Sequence, residues 1–133
     1  MPRLARSAAA LLVCAATTAA AAEPELRLQG LFCNAEDQLD RVLGLMGRGL
    51  DPQRATAAEN RDAVVCTYVD RLRFVLRDPV RLGEDRRFVP TVKYEATLTG
   101  VVVGDALRPV SPPVRLFFVT PQPIAATLVE QRL

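Results

Sequence analysis

The chain has 133 residues, 17 basic and 15 acidic, half of its residues hydrophobic and none of them histidine. That length supports one domain with a modest core. Without histidine the chain lacks the commonest general base and the commonest metal ligand.

Reading from the start, Arg3 and Arg6 precede an apolar run from Ala8 to Ala16, and an alanine-rich stretch ends AAAAEPE. A charged n-region, a short apolar h-region and a small-residue cleavage site are the layout of a secretory signal peptide. Residues 1–22 are expected to be that signal, with cleavage after Ala22 and a periplasmic or secreted product. The competing reading is a short membrane anchor, but the run falls far below the roughly 20 residues that span a bilayer. Cys14 raises a further reading, a lipid-modified cysteine, against which stand Val13 and Leu12 where a small residue would precede it. Removal of Arg3 and Arg6 with the signal takes the 17 basic residues to 15, against 15 acidic ones. A neutral mature chain gives no support to a nucleic-acid partner, and no transmembrane segment is expected in it. Residues 23–120 are expected to form a single domain, and 121–133 a C-terminal tail.

The first folded stretch, ELRLQGLF, alternates Leu26 and Leu28 with Arg27 and Gln29, which suggests an edge strand. After Cys33, Asn34 has the chemistry of a helix cap, with its side-chain oxygen placed to accept from Glu36 or Asp37. Glu36, Asp37 and Asp40 bring negative charge to the first turns, where the macrodipole favours it. Leu39, Val42, Leu43 and Met46 recur at helical spacing over about 35–46. Gly47 or Gly49 should end the element. Asp51 followed by Pro52 is a cap and first-turn pair. It predicts a second, two-turn helix over QRATAAEN, with Ala55 and Ala58 buried.

From Ala63 the period becomes two. Val64, Cys66 and Tyr68 share one face and Val65, Thr67 and Val69 the other; Leu72, Phe74 and Leu76 then oppose Arg71, Arg73 and Arg77. DPV at 78–80 reads as a turn and LGEDRR as a polar loop. FVPTVKYEATLTGVVVG is the longest strand signal, with Val92, Tyr94, Ala96 and Leu98 buried and Thr91, Lys93, Glu95, Thr97 and Thr99 wet. Gly100 within it suggests a bulge or bend. PVSPP at 109–113 reads as a stiff connection before the last strand, VRLFFVT. Its neighbours Phe117 and Phe118 must face opposite ways, so one is exposed or covered by a helix. The pattern is α+β: two N-terminal helices packed on a curved antiparallel sheet of about four to five strands. The expected core is Leu39, Val42, Leu43, Met46, Val64, Tyr68, Leu72, Phe74, Val92, Tyr94, Leu98 and Leu116.

Once the signal is removed, Cys33 and Cys66 remain. An even pair in an exported chain reads as a disulfide, joining a helix start to the middle of a strand and stabilising by about 3–4 kcal/mol. A zinc site would need about four ligands, so no metal or other cofactor is expected, and no catalytic residue is assigned. Neither a G-x-S-x-G nor a Walker-type loop is present. Glu84 and Asp85 read as a solvated turn, and Asp37 and Asp40 as helix-dipole partners. Arg71, Arg73 and Arg77 are the candidate partner-binding stripe, although a solvated strand face gives the same pattern. Outward guanidinium groups on a rigid strand can grip carboxylates bidentately. The functional expectation is a non-enzymatic module that binds an envelope protein or another periplasmic component. The alternative is a small-ligand carrier or enzyme using carboxylates and arginines.

Phe32, Cys33, Asn34, Ala35 and Gln38, then Ala55 or Ala57 with Asn60, then Cys66 and Pro112 or Pro113, make a pattern over about 30–120. It resembles a group of short exported alphaproteobacterial proteins with an F-C-N front motif. The resemblance implies periplasmic export and a disulfide, and it adds no catalytic residue.

Overall fold

In the computed structural model, residues 25–124 are described. The expected signal peptide, with Cys14, and most of the expected C-terminal tail lie outside them. The elements run β1 (Leu26–Cys33), α1 (Glu36–Gly47), α2 (Pro52–Glu59), β2 (Cys66–Asp85), β3 (Thr91–Val103) and β4 (Ala106–Thr120). The class is α+β and every strand pairing is antiparallel. The sheet does not stay open, however. Phe32 pairs with Phe118 and Cys33 with Phe117, which closes β1-β2-β3-β4 into a barrel. The helices are not N-terminal to the sheet but interrupt it, between β1 and β2.

Four strands can close only if they are long and strongly bent, and bulges supply the bending. β2 is 20 residues long and its ladder with β3 shifts at three places. The expected turn at Asp78 is one of them. Arg77 pairs with Thr97 and Val80 with Glu95, so β2 takes three steps against two on β3. Asp78 absorbs the bulge at φ 55 and the strand runs on, carrying Leu82–Asp85 with it. Gly100 lies at irregularities on both sides, next to the Val75/Leu76 shift on β2 and the Leu98/Gly100 shift on β4. A β-carbon there would press on Leu107 and on the Arg108 carbonyl, at 3.1 and 3.2 Å. The PVSPP stretch does not separate two strands. β4 runs through it, with residues 110–113 bowed out of the ladder between Pro109 and Val114. The two-residue turn between β3 and β4 places Gly104 at φ 58, the position where a tight hairpin favours glycine.

The barrel axis is filled by side chains. Phe32, Val69, Leu76, Val92, Tyr94, Ala96, Leu98, Leu116 and Phe118 form one core, with Leu72 and Phe74 partly buried against it. Phe32 lies 4.7 Å from Phe74 and 5.5 Å from Phe118, and Tyr94 stacks on Phe118 at 5.8 Å. Ile124 packs on this core and its N–H donates to the Tyr94 hydroxyl at 2.9 Å.

A second core lies outside the barrel wall, where α1 buries Leu39, Val42, Leu43 and Met46 against Leu31, Cys33, Ala55 and Cys66. Phe117 and Val119 pack beneath the same helices. Adjacent Phe117 and Phe118 thus serve different cores, the first under a helix and the second inside. This also explains three consecutive buried residues in β1, since Leu31 and Cys33 face the helices while Phe32 faces the axis. Three positions expected to be buried are exposed. Val64 precedes β2 and is 78% exposed, Tyr68 stands on the outer face beyond the helical cover, and Ala58 faces solvent.

The helix ends follow local chemistry with one exception. Asp51 accepts from Arg54 N–H at 2.8 Å and caps α2. At the end of α1, Gly49 and Leu50 N–H groups return to the Met46 and Leu45 carbonyls, a Schellman closure that uses Gly49 at positive φ. The exception is Asn34. The cap position of α1 is Ala35, without a side-chain cap bond. Asn34 instead extends the strand ladder, its N–H donating to Val65 at 2.9 Å.

That ladder bond sits at a neck. Cys33 and Cys66 are direct cross-strand partners, disulfide-bonded, with Cα atoms 4.0 Å apart. The bridge therefore joins the end of one strand to the start of the next, and not a helix to a strand. Beside it, Asn60 makes three bonds. Its carbonyl oxygen accepts from Val65 and Cys66 N–H, both at 2.9 Å, and its amide donates to the Cys66 carbonyl at 2.7 Å. Replacement of Asn60 by Ala strands two N–H groups and is expected to cost about 2–4 kcal/mol in urea unfolding. Asn60→Asp keeps the acceptor and should cost less. Cys66→Ser is expected to cost about 3–4 kcal/mol under oxidising conditions, with no free thiol alkylated in the wild-type protein before reduction.

Candidate functional site

α1 and α2 lie on the outer wall, and the β2–β3 turn closes against the end of α1. The contact is tight: a β-carbon on Gly47 would collide with the carbonyl of Arg87. Around this junction the structure gathers its densest charge network. Lys93, the single lysine of the chain, lies on β3 and is buried (9% exposed). Its ammonium donates to Asp40 at 2.6 Å and to Glu36 at 3.1 Å. Those carboxylates are four residues apart on α1 and so project from one side of the helix. Arg87 adds a second cation to Asp40 at 3.2 Å and reaches Asp85 at 3.6 Å, both through Nη1.

Burial works against the charged form of Lys93, but the hydrogen bonds from Asp40 and Glu36, with their charges, outweigh it and raise its pKa above the ordinary lysine value. Arg41 is likewise raised, first by its hydrogen bond to Glu59. It bonds Glu59 at 2.7 Å and Asp37 at 3.2 Å, linking α1 to α2. Asp37 and Asp40 thus hold cations of the chain itself.

An open groove of about 550 Å³ runs along this surface. Asp40 and Gly44 on α1 and the C-cap residue Arg48 line it at four-residue spacing, with Arg41 and Leu45 beside them. Glu59 bounds it on α2 and Arg87 on the turn. Both carboxylates of the groove are engaged by cations. Arg48 makes no ion pair among the described residues. Gly44 occupies a helix interior, where glycine costs about 1 kcal/mol relative to alanine, yet a β-carbon there would meet nothing within 4 Å.

The arginine stripe is divided. Arg71 and Arg73 are exposed on β2 without an ion pair among the described residues. Arg77 is tied to Glu25 at 2.9 Å, and its Nε is buried without a partner. Of the neighbouring arginines, Arg81 pairs with Glu84 at 3.3 Å and Arg86 with Glu84 at 3.7 Å, so only Arg87 reaches the groove. Sequence reading missed Lys93 because it falls on the polar face of an alternating strand. Its singularity among arginines was the available signal. Among the described residues no group of three or more His, Cys, Asp or Glu is placed to hold a metal ion.

Lys93 supports α1 through charge, which sets a pH dependence. Because its pKa is raised on folding, its contribution is fully present below the unfolded lysine value of about 10.4 and is lost as pH rises through the folded value. Lys93→Met is expected to cost about 2 kcal/mol at neutral pH, between the exposed and buried limits for a broken pair. In denaturant titrations across pH, the wild type should lose more stability than Lys93→Met above about pH 10.

Compared with protein-family models, curated proteins and solved structures, the chain matches none.

Proposed function

We propose that the chain is an exported module of the cell envelope that works by binding a protein or another periplasmic component. One observation carries this reading: the groove commits its carboxylates and leaves a cation uncommitted. Asp40 is held by Lys93 and Arg87, and Glu59 by Arg41, so each has a cation for its charge. A general acid or base needs a carboxyl free to exchange a proton with substrate. Arg48, Arg71 and Arg73 carry guanidinium groups turned to solvent, suited to contact.

Export is supported by the buried disulfide, since such bonds persist in oxidising compartments. No helix among the described residues is long and apolar enough to cross a membrane. The Arg71 and Arg73 stripe remains a proposed contact surface, without Arg77, whose charge Glu25 already meets. The alternative, a small-ligand carrier or enzyme built on carboxylates and arginines, draws on the same groove. It is disfavoured by the pairing of Asp40 and Glu59.

Two measurements test the proposal. N-terminal sequencing of the exported protein should begin at Glu23. A photo-crosslinking residue placed at Arg71, Arg73 or Arg48 in the periplasm should give discrete adducts, against none from Arg54 on the far part of α2. Crosslinks that persist unchanged when Arg71 and Arg73 both become Ala would remove the stripe. Uniform absence of adducts at all three sites would overturn the binding reading.

A further inference from the structure

The groove contains two glycines of different kinds on one helix. Gly47 is required by packing, because the backbone of Arg87 occupies the place of its side chain. Gly44 is not: the space beside it is empty, and alanine would form the helix better. Folding therefore gives no reason for a glycine at 44. Its consequence is local. Between Asp40 on α1 and Arg48 at its C-cap, the absent side chain leaves the helix backbone accessible within the groove. Glycine serves in this way where another chain or ligand must come close.

The guanidinium groups at the two ends of that gap are available. Arg48 has no ion pair among the described residues. Arg87 makes both its ion pairs through Nη1, which leaves N–H donors at Nη2 and Nε for a further acceptor. Arg41, by contrast, uses Nε, Nη1 and Nη2 on Glu59 and Asp37. The negative end of α1 does not oppose an anion openly, because Gly49 and Leu50 N–H groups engage the Met46 and Leu45 carbonyls. The close fit of Gly47 on Arg87 also fixes the turn against the helix end, so the backbones that carry the two forks are held together before binding, which reduces the ordering cost.

We propose that this groove receives carboxylates from an acidic segment of a protein partner, with Arg48 and Arg87 as its two forks and Gly44 as the point of closest approach. The inference rests on the reading of the chain as a binding module and specifies the chemistry of its partner. A segment of polypeptide suits an open groove that has Leu45 beside the charges, whereas a free dicarboxylate would use the charges alone.

The test is a nuclear magnetic resonance titration of the mature protein with a capped tetraglutamate peptide, with capped tetraglutamine and free glutarate as the other arms. The expected result is saturable shifts at the Arg48 and Arg87 Nε–H signals and the Gly44 and Leu45 amides. Tetraglutamine should produce none, and glutarate should bind at least about ten-fold more weakly. Affinity should fall as salt rises. Arg48→Gln should weaken peptide binding about ten-fold. Gly44→Ala should raise the melting temperature while weakening the peptide, and Gly44→Leu should abolish binding in a protein that still melts cooperatively. Wild-type affinity in both Gly44 variants, or shifts confined to Arg71 and Arg73, overturns the groove but leaves the binding module standing. Glutarate as tight as the peptide overturns the protein partner in favour of a free carboxylate. No saturable shift in any arm overturns the inference, and the crosslinking experiment then decides the module separately.

Discussion

The neck between Cys33 and Cys66 is the constraint on which the rest of the fold depends. A four-strand barrel needs its first two strands in register, yet here the chain leaves β1 and returns to β2 only after two helices. Loop closure over such a distance carries an entropic cost that a tight hairpin avoids. Three devices offset it at one place: the covalent bridge, the Asn34 to Val65 ladder bond, and the three bonds of Asn60. The bridge is buried and the Asn60 bonds are half-buried, so water does not compete fully with them. With the neck closed, α1 comes down over the seam where β1 meets β4, the shortest pairing of the barrel, while α2 packs on α1 and β2. α1 thus covers the part of the wall that the sheet holds least.

That placement explains why the polar network is where it is. α1 covers a β3 face that alternation marks as wet, and Lys93 becomes buried with it. A buried ammonium must be paired, and Glu36 and Asp40 meet that need from the covering helix. Charge is used here as registry: only one placement of α1 along the wall brings both carboxylates to Lys93 while Leu39, Val42, Leu43 and Met46 enter the second core. The groove arises beside this arrangement, where α1 ends and the β2–β3 turn meets it.

Much of the fold was legible in the sequence. The α1 stripe, the Asp51 cap, a glycine stop after α1, the buried face of β3 and the split of Phe117 from Phe118 all follow from local period and backbone chemistry, which act over a few residues. The departures share a cause as well. Asp78-Pro79 and PVSPP were read as breaks because proline and aspartate favour turns, but a closing barrel uses the same residues as bulges within continuous strands. Asn34 was read as a cap because its side chain suits one. The ladder across the neck claimed its backbone first, and that pairing partner lies 31 positions away. The candidate site was the least legible part. Arg87 and Lys93 are brought to Asp40 by topology alone, and only the lone lysine hinted at it. The stripe that alternation did reveal, Arg71 and Arg73, holds no such convergence.

The neck has a consequence for how this chain can change. The helical excursion leaves and re-enters the ladder at directly paired residues, so between Asn34 and Val65 only Asn60 bears on how the two strands meet. Insertions or deletions in that span, wherever they spare the Asn60 bonds and the four apolar residues of α1, alter the outer surface without slipping a single strand pair. The barrel then acts as a fixed frame and the excursion as its variable part. A lineage carrying this fold could remodel the groove, its lining and its preferred partner while the closed sheet beneath stays the same.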